Sequence, residues 1–219
     1  VIQALGPTLG LAVGIAVFPV PIIAVILMLF SPSAGRNAGA FLAGWLLGLT
    51  AVGLLALVVG IGSGGGIESG DIARVVIGAL FIFFGIRKWH RRPGPDEQPG
   101  MPGWMSAVDG FGAPQAFGLG LALSALNPKN FGLTVAAVAS ISSAGLNPGQ
   151  EVTALLVFVL IASAGVLAPS VAYLVARDRV EAGLDSARIW LVANSGTVMT
   201  VIFLVLGAVV FGDGISGLT

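Results

Sequence analysis

Cysteine is absent from the 219 residues and histidine occurs once, at His90. The first absence removes disulfides, thiolate catalysis and cysteine-based zinc sites; the second removes any histidine cluster for a metal. Charge is scarce as well: Asp, Glu, Lys and Arg make up 9% of the chain, where a soluble domain carries about 25%. Ten basic residues balance ten acidic ones, which leaves no general cationic face for nucleic acid. Serine and threonine are scattered, with no histidine or buried base beside them. The composition therefore points away from an enzyme and calls for no metal and no cofactor.

Hydrophobic residues fill the space left by these absences, at 56% of the chain and a mean hydropathy of +1.01. A membrane-spanning helix needs about 20 predominantly apolar residues. Six stretches qualify: 9–30, 38–61, 72–86, 117–141, 152–175 and 189–211. The third is the shortest, with Trp89 beyond its end as an interfacial anchor. Tight or flexible turns are expected at Ser31-Pro32-Ser33-Ala34-Gly35, at 62–66 and at Asn147-Pro148-Gly149. Residues 90–113 read as a surface linker, with 104–111 lying on the membrane face as a short interfacial helix. They separate a first unit, 1–89, from a second, 114–219. No basic segment precedes the first apolar run, so no cleavable signal peptide is expected, and the chain opens at Val1 with its true start expected upstream.

Basic residues set the orientation. With six crossings, the first, third and fifth connections share one side and hold Arg36, then Arg87, Lys88, Arg91 and Arg92, then Arg177, Arg179 and Arg188. Only Arg74 falls on the other side, and Lys129 lies within a span. The positive-inside bias puts the eight in the cytoplasm and both termini outside, in a multi-pass protein of the cytoplasmic membrane. Were segments one and four re-entrant hairpins, the later arginines would face away from the Arg87–Arg92 cluster; the charge asymmetry favours full crossings. Arg36 and that cluster mainly fix topology, with attraction of anionic lipid headgroups as a secondary role.

Ser33-Ala34-Gly35-Arg36-Asn37 recurs as Ser143-Ala144-Gly145-Leu146-Asn147, and at nearly the same offset Pro19 falls beside Pro128. The second copy follows three crossings, so the copies run oppositely. The fold expected is an all-α integral membrane protein of six transmembrane helices, built as two inverted three-helix repeats with helices one and four broken at prolines.

The breaks carry the chemistry. Pro19 and Pro21 cannot donate backbone hydrogen bonds, and each clashes with the turn before it. In hydrocarbon the freed carbonyls survive only beside protein or a wet cavity. Asn127-Pro128-Lys129-Asn130 interrupts segment four, and a lysine at the centre of a span costs about 2.5–3.5 kcal/mol. Lys129 can bond the freed carbonyls, pair with a carboxylate or hold an anionic group, with Asn127 and Asn130 offering donors and acceptors. Asp109 is a candidate counter-ion for it or an ordinary helix cap, and no Asp or Glu lies within an apolar run. Ala40, Gly44 and Gly48, spaced by four beside Trp45, read as a helix-packing stripe.

Pro19-Val20-Pro21, Phe41-Leu42-Ala43-Gly44-Trp45, Trp104-Met105 with Asp109-Gly110, and Asn127-Pro128-Lys129-Asn130 resemble the glycolipid-addressing protein (Sap-like) family of actinobacteria, assigned to the lysine-exporter superfamily. The resemblance runs from about residue 10 to 212. It implies six helices and movement of glycolipids or other envelope lipids towards the outer surface, with Pro19, Pro21, Asn127, Pro128 and Lys129 as the matching positions. Amino-acid exporters of that superfamily usually carry Pro-Gly-Pro at the first break. Val20 stands in place of the glycine, which weakens transfer of amino-acid specificity.

The resulting expectation is an alternating-access exporter of a glycolipid or other anionic envelope lipid. A small-solute exporter and a non-transporting scaffold for lipid-synthesis enzymes are the competing readings. Partners are the bilayer and an amphiphilic substrate; association with further copies of the chain and with envelope-lipid synthesis or export proteins stays open.

Overall fold

The computed structural model describes residues 2–61, 67–90 and 107–218, with side chains for 6–61, 75–90, 107–108 and 110–217. The turn at 62–66, Arg91, Arg92, most of the expected interfacial helix and the side chain of Asp109 lie outside these residues. The described part is helical, with no strand among its residues: α1 (Ile2–Ala16), α2 (Pro19–Leu29), α3 (Ala34–Val58), α4 (Ile67–His90), α5 (Ala113–Leu121), α6 (Pro128–Ser142), α7 (Pro148–Ala162) and α8 (Ala164–Leu218). A 3₁₀ turn, Val108–Gly110, precedes α5, and a π-helical turn, Ala122–Leu126, follows it.

Both proline breaks form, and by the same local device. Phe18 (φ −67°, ψ 118°) and Asn127 (φ −75°, ψ 116°) are extended, and each is followed by a proline that opens the next helix. A first-turn proline forfeits only an N–H that would have no partner in the helix, and its fixed φ already suits the turn. Pro19 thus begins α2 after α1 has ended, and the two helices are bent by 52°. The Ser-Ala-Gly-x-Asn motifs take different places. Ser33 precedes α3 and Asn37 sits buried within its first turn, whereas Gly145 (φ +66°) makes a turn and Asn147 caps α7. The prolines, not the motif, are the structurally matching elements.

Two features depart from the expected spans. The fifth is divided at Ser163 (φ −91°, ψ −3°), between α7 and α8. α8 is two helices across a kink at Ala176 (φ −148°, ψ 48°): its apolar first part ends there, and its second part carries the charged stretch 177–188 in helical form.

α2 is apolar on every side, and Ile23 through Leu29 are all buried, so it runs through the centre. Around it the helices meet at glycines. Gly44 and Gly48 of α3 lie against Phe117, Leu121 and Ser124, and Gly120 of α5 lies against the Phe41 carbonyl, so α3 and α5 run parallel. α1 lies along α7 and α2 along α8, with Gly165 pressed on the Ala16 carbonyl. α4 runs antiparallel to the second part of α8, with Gly78 against Phe211, Gly85 against Leu204 and Gly207 against Ile82. Lipid provides no hydrophobic drive between helices, so close backbone approach at small residues has to supply the attraction. Trp45 fills the space beside the α3 stripe, fully buried, and its Nε1 donates to Ser163 Oγ at 3.1 Å.

At one end, Asn37 Nδ2 donates to the Phe111 carbonyl (2.7 Å), and Arg36 and Arg177 line one cleft. The turn between α2 and α3 therefore meets both Phe111, just before α5, and the bend of α8 at Arg177. α3 and α8 are each long and apolar enough to cross a membrane, and the α1–α2 pair passes the same test jointly; α5 with its π turn, and α7, are shorter apolar helices. Side chains such as Val58, Leu126 and Val175 point outward, more than three-quarters exposed. An all-helical protein that presents large apolar residues this openly is a membrane protein.

Candidate functional site

Lys129 sits in the first turn of α6, 4% exposed, at the level where both helix pairs are interrupted. Its place follows from the chain around it. Asn127 Oδ1 accepts from the Lys129 backbone N–H (3.0 Å), Pro128 fixes the first turn, and the lysine side chain is directed back towards α1. There Nζ donates to the Gly14 carbonyl at 2.7 Å and lies 4.3 Å from the centre of the Phe18 ring. The acceptor is a product of the break. Phe18 N–H, which would bond Gly14 in a continuous helix, bonds the Ile15 carbonyl instead (3.2 Å), leaving the Gly14 oxygen for the ammonium. The Phe18 ring adds cation–π attraction, which strengthens out of water.

Asn130, fully buried, performs the related task within its own half. Its Nδ2 donates to the Leu123 carbonyl (2.9 Å), in the π turn that Pro128 terminates. Asn130 Oδ1 and Thr134 Oγ1, one turn apart on α6, have no hydrogen-bond partner among the described residues. Of the three roles open to Lys129, carbonyl capping is the one realised in this conformation.

A cavity of about 630 Å³ opens beside the same turn. Asn127, Pro128, Lys129 and Gly132 form its α6 wall, and Ile77, Leu80, Phe81, Phe84, Arg87 and Lys88 its α4 wall. Gly196 and Phe203 of α8 complete it, and the Phe81 and Phe203 rings meet at 5.6 Å. From Ile77 to Lys88 the α4 wall rises about 16 Å, roughly half the hydrocarbon thickness. The space therefore brings the exposed cations Arg87 and Lys88 together with the buried Lys129. Aliphatic and aromatic side chains make up most of the rest of its wall, and no acidic side chain is among the described residues lining it. Such a shape fits an amphiphile with a negative group and an apolar body.

The expected site residues are distributed unevenly. Asn127, Pro128 and Lys129 line the cavity together with Arg87 and Lys88, which the sequence had suggested mainly as topology residues. Pro19 and Pro21 are buried behind Lys129 as parts of the break and do not line it, and Asn130 faces the π turn. Arg36 lies in a separate cleft. Residues missed from sequence are Gly14 and Phe18, which receive the lysine, and Phe81, Gly132 and Phe203 in the walls. A hint for Phe18 was its position directly before the first proline; nothing in the sequence marked the others. Among the described residues no group of acidic or histidine side chains could hold a metal ion.

A family model described as Sap, sulfolipid-1-addressing protein, matches residues 8–216. No curated protein and no solved structure matches the chain.

Proposed function

Because the chain belongs to the Sap, sulfolipid-1-addressing protein family, we propose that it exports an anionic envelope lipid, a sulfated or phosphorylated glycolipid, from the cytoplasmic membrane. The cavity that Arg87, Lys88 and Lys129 line together with apolar side chains is the observation that carries this reading. A headgroup enters at the exposed pair and is drawn towards the buried ammonium, while its lipid tail follows the Leu80, Phe84 and Phe203 walls. An amino acid, polar at both ends of its backbone, would leave those walls without a matching surface. This favours a lipid over a small solute. Lys129 exchanges its Gly14 carbonyl for the anionic headgroup as access alternates, and the carrier performs no covalent chemistry.

The mechanism uses two inverted halves, 1–89 and 114–219, joined by the linker 90–113, in the manner of the lysine-exporter superfamily. Matching breaks support it: Pro19 and Pro128 open their helices after residues of nearly identical backbone angles. Exchangeable packing supports it too. Under a two-fold exchange of halves, α3 alongside α5 becomes the α7–α8 span alongside α1, and both pairs are in contact. The antiparallel α4–α8 pair maps onto itself. Six crossings with both termini outside then leave the basic connections in the cytoplasm.

Gly132→Leu tests the reading without touching a charge. A Cβ there would lie 3.8 Å from Phe81 and 3.9 Å from Ile77, an ordinary contact, while the rest of the leucine would occupy the cavity. Surface glycolipid should fall severalfold in cells that carry this variant at wild-type membrane levels. Unchanged surface glycolipid would show that cargo does not pass this way.

A further inference from the structure

A second basic concavity lies between the turn joining α2 to α3 and the bend in α8. It has a volume of about 660 Å³ and is lined by Phe30, the Ser31–Arg36 turn, Tyr173 and Arg177. Its two guanidinium groups come from segments more than 130 residues apart. Arg36 makes only a long bond to Ser33 Oγ (3.4 Å), and Arg177 lies over the Tyr173 ring at 5.1 Å. Neither forms an ion pair among the described residues. The adjoining depression shares Tyr173 and Arg177 but carries Asp178, Glu181 and Asp185, and its Arg188 is held by Asp185 at 2.6 Å. An anion is repelled there and accepted beside Arg36.

We propose that this cleft binds the phosphate of an anionic glycerophospholipid, held as a resident lipid and separate from the exported cargo. Arg36 and Arg177 grip the phosphate oxygens from two sides. Ser33 precedes α3 without a side-chain capping bond, so the first turn of that helix adds its own partial positive charge. The source is a lipid because the turn of α8 leading to Arg177 is openly apolar. Leu174 is 75% and Val175 81% exposed, a wall for acyl chains directly next to the headgroup position. Basic pockets between membrane helices at the cytoplasmic face are suited to such headgroups. The bound lipid would tie the α2–α3 turn to the α8 bend, two places where the chain changes direction.

The test is selective lipid retention. Protein purified from vesicles of equal phosphatidylglycerol and phosphatidylcholine is examined by native mass spectrometry. The wild type should retain phosphatidylglycerol with an enrichment on the order of tenfold, as two arginines near an anionic headgroup provide. Arg36→Gln with Arg177→Gln should remove the preference. Arg179→Gln, outside the cleft, should keep it, as should Gly132→Leu, so this outcome is independent of the export route. Millimolar inorganic phosphate should leave the lipid in place. Equal retention of both lipids by the wild type overturns the proposal, as does a preference that survives in the double variant. Displacement by inorganic phosphate would also overturn it, making the cleft a site for free phosphate.

Discussion

Replacing Lys129 by methionine separates what the ammonium does for the fold from what it does for transport. The substitution keeps most of the side-chain length and removes the charge. Two opposing effects on stability can be read from the structure. The Gly14 carbonyl loses its 2.7 Å partner, and a buried polar group left without one costs about 1–3 kcal/mol. Against this, a lysine at the middle of a span carries a penalty of about 2.5–3.5 kcal/mol, which methionine escapes. The cation–π contact with Phe18, about 1–2 kcal/mol in a desolvated place, is lost as well, although methionine also packs well on an aromatic ring. The opposing amounts nearly cancel, so Lys129→Met should unfold within a few degrees of the wild type in detergent. Surface glycolipid should nevertheless fall at least tenfold at matched membrane levels. Refutation would take one of two forms: export that persists, or a variant so unstable that lost export merely tracks lost protein. The second result would make the lysine a helix cap and nothing more.

Three further outcomes follow from packing and topology. Gly44→Val should destabilise the protein by about 1–3 kcal/mol, the usual cost of overpacking, because its side chain would run into the Phe117 carbonyl; thermal unfolding in detergent measures it. Trp45→Phe keeps an aromatic ring but loses the 3.1 Å bond to Ser163 and leaves part of the buried indole volume empty, so a loss of about 2–3 kcal/mol is expected in the same assay. The cysteine-free chain permits single-cysteine labelling in intact cells. Gly35→Cys, which has open space around it, should react only with membrane-permeant reagents, and Gly149→Cys also with impermeant ones; the reverse pattern would invert the proposed orientation.

How much could be read beforehand depended on whether one residue type was enough to dictate the backbone. Proline was at two places, where Pro19 and Pro128 each open a new helix, although Pro7 and Pro169 are accommodated inside α1 and α8. Ser163 was not, because serine is tolerated inside helices; its break arises where Gly165 lets α8 press on the Ala16 carbonyl and where Trp45 holds the serine hydroxyl. The charged stretch 177–188 looked like a connection between spans, yet it is helical: charges of both signs at short spacing suit a helix surface, as the Arg188–Asp185 pair shows. α4 likewise continues to His90 after its apolar run has ended, because Arg87 and Lys88 are good helix formers placed in the last turn, where positive charge is favourable.

That last extension decides the chemistry of the site. Had α4 stopped at Ile86, Arg87 and Lys88 would belong to a loop; as helical residues they stand in line with Leu80 and Phe84 and line the cavity with them. The sequence placed Lys129 within a span and so identified a cost in search of a use, but the cost alone was equally consistent with a cap. Arg87 and Lys88 on the wall of the same cavity are what favours the proposed conduit over a cap. A cap needs one carbonyl, which Gly14 supplies. Arg87 and Lys88, which form no ion pair among the described residues, contribute nothing to holding α1. We read them as the headgroup end of the proposed lipid route, a use compatible with their place in the last turn of a helix.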